Sequence, residues 1–120
     1  MKTLTSVIIL SALVLYGCTA VTGVPPVDVE IINRSSHDLA NVRALFGDYA
    51  CEWGTVGKTF TAVYLFYPHP ITADTELRWD EQGSPRVEKI DLRQVYRRGQ
   101  AGKITFTVLD GRAEVAFRKE

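Results

Sequence analysis

The stretch "GTVGKTF" ends in Gly57-Lys58-Thr59, the residue types with which a P-loop holds phosphate. That loop needs a glycine five positions before Gly57 and a following helix whose first N–H groups point at the anion. Glu52 stands in the glycine's place and a β-rich run follows, so the expectation is a plain turn. Ser35, Ser36, His37 and Asp38 supply the side chains of a hydrolytic triad, but neighbours within one turn do not aim at each other as a proton relay requires. Asp80 and Glu81 form an acidic pair in a predicted turn, where solvation accounts for them. His37 and His69 are the only histidines, and neither stands at ligand spacing from another His, Cys or acidic residue, whereas zinc takes three or four such groups. Asn33-Arg34-Ser35 matches a glycosylation acceptor, and turn chemistry is the better reading of it. No catalytic set, metal or cofactor is expected. The competing expectation is an enzyme or small-ligand carrier whose groups converge from distant positions.

Two groups of residues could serve binding. Tyr64, Leu65, Phe66 and Tyr67 are apolar on both faces of a strand. A central strand covered on both sides would explain them, and the alternative is an exposed patch for a partner built on Tyr64, Phe66 and Tyr67. Arg93, Arg97, Arg98 and Lys103 form either a solvated basic loop or a contact for headgroup phosphates or an acidic protein. Lys plus Arg and Asp plus Glu number 14 each, so the excess of positive charge that nucleic-acid binding requires is missing.

The amino terminus carries Lys2, an apolar run "VIILSALVLY" from Val7 to Tyr16, then Gly17 and Cys18, the layout of a secretory signal peptide. Leu15, Tyr16, Gly17 and Cys18 resemble the lipobox of bacterial lipoproteins, with Tyr16 departing from the usual small or aliphatic occupant of its position. The resemblance implies diacylglyceryl attachment to the Cys18 sulfur and cleavage after Gly17. It also implies that Thr19, standing where Asp usually retains Gram-negative lipoproteins at the inner membrane, favours the outer membrane facing the periplasm. The competing reading is an uncleaved signal anchor, since no charge occurs from Thr3 to Val27, although Thr, Ser and Gly dilute the ends of that stretch. With Cys18 lipidated, Cys51 has no partner in its own chain and is expected to be a buried apolar residue.

Three segments follow: a leader over 1–17, a lipidated tether over 18–26 containing Pro25 and Pro26, and one domain over 27–120. Period-two alternation dominates that domain. Val27, Val29 and Ile31 share one face, as do Val42, Ala44 and Phe46, and Leu77 with Trp79. Cys51 falls on a further strand, and Pro68 and Pro70 end the aromatic run. Val87, Ile90 and Leu92 slip out of alternation, which predicts a bulge near Glu88 or Lys89. Ile104, Phe106 and Val108 should pair with Ala113, Val115 and Phe117 across Asp110-Gly111. Residues 93–102 read as a loop or one helical turn. About seven short strands without a helical pattern predict an all-β antiparallel sandwich, immunoglobulin-like in layout. Phe46, Trp53, Trp79, Phe106 and Phe117 are its expected aromatic core. The function expected is that of a non-enzymatic binding or scaffold module, held at the cell envelope by lipid and meeting an envelope protein.

Overall fold

Alternating burial organises the chain from its first strand: Val27, Val29 and Ile31 are buried while Asp28, Glu30 and Ile32 stay partly in water. The computed structural model describes residues 25–120; the leader, Cys18 and the tether as far as residue 24 lie outside them. Eight strands follow one another: β1 (Val27–Asn33), β2 (Leu39–Phe46), β3 (Tyr49–Val56), β4 (Thr61–Tyr64), β5 (Asp74–Glu81), β6 (Ser84–Asp91), β7 (Gly102–Leu109) and β8 (Arg112–Lys119). They form two four-stranded sheets, ordered β4-β1-β7-β8 and β3-β2-β5-β6. The expected all-β sandwich is therefore what the chain forms, with eight strands rather than seven.

One pairing departs from the antiparallel expectation. β1 runs parallel to β7, Val27 beside Gly102 and Asn33 beside Val108, while the other pairs are antiparallel. A parallel pair needs a long crossover, and the whole of β2 to β6 supplies it. The β7–β8 hairpin has the expected register, with Ile104 opposite Phe117, Phe106 opposite Val115 and Val108 opposite Ala113.

The core lies between the sheets: Val29, Ile31, Leu39, Val42, Ala44, Phe46, Cys51, Leu77, Ile104, Phe106 and Val108 are buried. Trp79 is buried with them, whereas Trp53 and Phe117 are only partly covered and close the flanks. Trp53 reaches from β3 across to the other sheet, where its indole N–H donates to the Val29 carbonyl at 3.2 Å. Tyr96, in the single turn after Leu92, packs edge-on against Phe117 at 5.2 Å. Gly102 is required by close approach, since a side chain there would collide with the Arg118 carbonyl and the Phe117 ring.

The expected bulge is not in β6, which pairs with β5 without interruption from Asp74–Asp91 to Glu81–Ser84. Val87 breaks the pattern because β6 is an edge strand and this valine faces water. The irregularity sits in β2 instead, between Leu39 and Arg43, where Asn41 has φ 51°.

Because β1 and β7 run together, the strand registers define two ends. The distal end holds the turns after β1, β3, β5 and β7. The proximal end holds residues 25–26, the Gly47-Asp48 turn, and the long loops over 65–73 and 92–101.

Candidate functional site

The distal end gathers most of the residues that suggested chemistry, and puts them to structural use. Asn33 is fully buried, and its amide nitrogen donates to the His37 and Val56 carbonyls at 2.8 and 3.0 Å. Its Oδ1 accepts from the Ser35 backbone N–H at 2.9 Å and the Ser35 hydroxyl at 2.6 Å. All four hydrogen-bonding positions of that side chain are filled, so turn chemistry accounts for Asn33-Arg34-Ser35 and leaves the amide no exposure to modification. Ser36 donates to Asp110 from its N–H at 2.8 Å and its hydroxyl at 2.7 Å, which holds the Asp110 carboxyl below its usual range. Asp38 accepts from the Lys58 N–H at 2.8 Å. Ser35 meets only the backbone of His37, donating its hydroxyl to the His37 carbonyl at 3.0 Å, while Ser36 is held by Asp110 and Asp38 by Lys58, so the three do not form a relay with the imidazole. The Gly57–Thr59 segment is a turn leading into β4 rather than a loop capping a helix.

Asp80 and Glu81 differ from expectation by ending β5 rather than occupying the turn, which is Gln82-Gly83. Asp80 accepts from the Asn41 amide at 2.7 Å and Glu81 from the Trp79 indole at 3.2 Å. Cys51 is buried as expected; desolvation, aided by Glu52, pushes its thiol up to about 12, so it holds its proton at neutral pH and is a poor nucleophile. Among the described residues no three His, Cys, Asp or Glu side chains meet at a point that could hold a metal ion.

The proximal end is built differently. β4 is a four-residue edge strand, so the aromatic run after it is not covered on both sides. Tyr64 closes the strand partly exposed, and Leu65 and Phe66 stand 58% and 68% exposed at the tip of the turn that follows. Phe66 has φ 52°, a left-handed conformation that is an outlier for a bulky side chain, and its N–H donates to Asp28 Oδ1 at 2.9 Å.

Tyr67 corrects the expectation of a three-residue surface patch, because at 3% exposure it belongs to the core. Its N–H donates to the Val27 carbonyl at 2.9 Å, which turns the side chain inward against Phe46. Its hydroxyl has no hydrogen-bond partner among the described residues, and burial pushes it up to about 12. Tyr64 and His69 both meet the Tyr67 ring edge-on, and His69 stacks on Tyr49 with centroids 4.1 Å apart. An aromatic strip therefore runs from the edge of one sheet to the edge of the other, with Leu65 and Phe66 beyond it.

The basic group is not one patch. Arg93 pairs with Asp74 and Asp91 at 3.2 and 3.1 Å, which takes up its charge; its backbone N–H, donating to Asp91 at 2.9 Å, and then that ion pair keep the Asp91 carboxyl below its usual range. Lys103 points across the sheet to Glu30 at 3.6 Å. Arg97 and Arg98 remain without an ion pair among the described residues, in the proximal loop that also carries Tyr96. Arg98 and Tyr96 line a shallow hollow of about 320 Å³ with Pro70, Ile71, Thr72 and Ala73. A larger open groove of about 570 Å³ runs beside Asp74, Glu76, Lys89 and Asp91, two of whose carboxylates are already held by Arg93.

Sequence reasoning missed two long-range bonds that fix these ends. Turn chemistry was expected at Asn33 and is found, but its bond to Val56 carries no local signal. Asp28, on the face of β1 opposite to Val27 and Val29, anchors the Phe66 turn, and no local pattern announces a partner thirty-eight residues away.

No protein-family model matches the chain, and no curated protein matches it. Among solved structures it is similar to a protein from Eubacterium rectale determined by NMR, with a TM-score of 0.52 and 9% sequence identity, over 79% of this chain and 90% of that one. A likeness at that identity establishes a shared all-β fold and nothing about activity.

Proposed function

We propose that the protein is a lipid-anchored lipoprotein of the bacterial cell envelope whose sandwich is a non-enzymatic binding module for another envelope protein. The observation that carries this reading is the run Leu15-Tyr16-Gly17-Cys18, closing an apolar leader shortly before a folded domain begins at Val27. Lipid on Cys18 confines the domain to one membrane, and confinement raises the effective concentration of any partner in that layer. Thr19 favours the outer membrane, with the domain facing the periplasm.

The partner surface in this reading is the flank where β3 and β4 lie side by side. Both are edge strands, and Val63 is exposed there. Open edges accept a further strand, with backbone hydrogen bonds giving affinity and flanking side chains giving selectivity. Against an enzyme stands the commitment of Ser35, Ser36, Asp38 and Cys51 to turns and core.

The test is mass spectrometry of the mature amino terminus, together with membrane fractionation of the native chain and of Cys18→Ala. The expected result is a lipidated Cys18 at the amino terminus and release of the variant from membranes. A chain beginning at Met1, or a variant that still sediments with membranes, overturns the anchor. A photo-crosslinker at Val63 should capture one envelope protein; turnover of a substrate by the chain with no captured protein would reverse the order of binding module and enzyme.

A further inference from the structure

We propose that the proximal end is a membrane-docking face, in which Leu65 and Phe66 enter the bilayer that holds the lipid while Arg97 and Arg98 meet its headgroup phosphates. The proposal rests on the lipoprotein reading above and adds an orientation: the sandwich stands on the membrane with its distal turns pointing away.

Position is the first argument. The chain enters β1 at Pro26 and Val27, and the Leu65–Phe66 turn is fixed to that very point by Tyr67 N–H to the Val27 carbonyl and Phe66 N–H to Asp28. The Arg97–Arg98 loop is fixed there as well, since Gly102 N–H donates to the Pro26 carbonyl at 3.2 Å. A tether spanning residues 18–26 reaches at most about 30 Å when fully extended, so this end, where the tether joins the domain, always stays within that distance of the anchoring lipid.

Composition is the second. Two adjacent large apolar side chains stand in water at the tip of a turn, and Phe66 does so in a backbone conformation that glycine or asparagine would occupy without strain. The backbone of that turn is held by hydrogen bonds to Val27 and Asp28, while the phenyl ring itself stays 68% exposed. Tyr49 and Tyr64 flank the tip, amphipathic rings of the type enriched where hydrocarbon gives way to water. Arg97 and Arg98, without an ion pair among the described residues, complete at the same end the arrangement of apolar side chains below and cations at phosphate level.

The full lipidated chain in phosphatidylethanolamine–phosphatidylglycerol vesicles tests this. Nitroxide labels are placed by Leu65→Cys or Val87→Cys, Val87 being an exposed apolar residue on the opposite flank and Cys51 being buried from the reagent. Power saturation should show the position-65 label reached by oxygen in preference to a water-soluble nickel chelate, and the position-87 label the reverse. Phe66→Asn, which suits the turn, should keep the lipid and the fold yet return the position-65 label towards water. Equal nickel access at both positions in a chain whose Cys18 is lipidated overturns docking and leaves the anchor intact; an unlipidated amino terminus overturns both. A photo-crosslinker at Leu65 in native membranes that yields a protein adduct and no lipid adduct also overturns docking, by assigning the tip to a protein.

Discussion

The two ends of the sandwich use opposite chemistry. At the distal end polar side chains reach back to the chain: Asn33 fills four hydrogen bonds, Ser36 joins Asp110, and Asp38 holds Lys58. At the proximal end Tyr67 leaves a buried hydroxyl without a partner among the described residues, Phe66 sits at φ 52°, and large apolar side chains stay in water. The distal end also leaves Phe60 67% exposed and Thr59 at φ 72°, so what sets the proximal end apart is the joining of two adjacent exposed apolar side chains, Leu65 and Phe66, to arginines without ion pairs among the described residues.

The sharpest way to break this comparison is Asn33→Ala. It removes two donated and two accepted bonds inside the fold, taking a donor from the Val56 carbonyl and the acceptor from the Ser35 N–H, for a loss of about 3 kcal/mol. Urea unfolding measures it, with a lower midpoint and an unchanged slope. A loss under about 1 kcal/mol would mean that water replaces the amide and that the distal end is not held by it.

Phe66→Gly tests the other end and has the opposite sign. Relief of the left-handed strain contributes about 1–2 kcal/mol, and the added freedom of glycine in the unfolded chain offsets about half of it. A net gain of about 1 kcal/mol in urea unfolding, coupled with loss of docking, would identify Phe66 as a residue kept against stability. A net loss would mean that the ring packs on the domain after all.

Tyr67→Phe is smaller still. Removing a buried hydroxyl that lacks a partner should stabilise the domain by up to about 1 kcal/mol, read as a small rise in Tm. A fall in Tm would show that the hydroxyl is satisfied by solvent or by a bound molecule, and the proximal end would then be more complete than its hydrogen bonds suggest.

These sites differ in how far sequence alone exposes them. The strands of the core were legible, because Val27, Val29 and Ile31, or Ile104, Phe106 and Val108, repeat at the pleat's own period and need no distant information. The aromatic run was not, since an apolar strand looks the same whether neighbours cover both faces or one edge is open; the pairing of β4 with β1 alone decides it. Tyr67 turned inward for a similar reason, its direction being set by a bond to Val27, forty residues earlier. The bulge was misplaced because an exposed valine and an inserted residue disturb alternation in the same way.

Asp110→Asn offers the finest test of how the distal end is closed. The carboxylate accepts two hydrogen bonds from Ser36, which keeps its pKa below the ordinary 3.8. A carboxyl whose folded value is depressed adds stability that is present above the unfolded value and fades as pH falls through the folded one. Asparagine can still accept from Ser36 but does not titrate, so the native chain should be the more stable at neutral pH, and the gap should narrow as acid protonates Asp110. Because the side chain is exposed the effect is small, and a series of urea midpoints from neutral to acid pH is needed to see it. Parallel acid limbs for the two chains would show that Ser36 recognises the shape of the side chain rather than its charge, and that the distal end owes its closure to geometry alone.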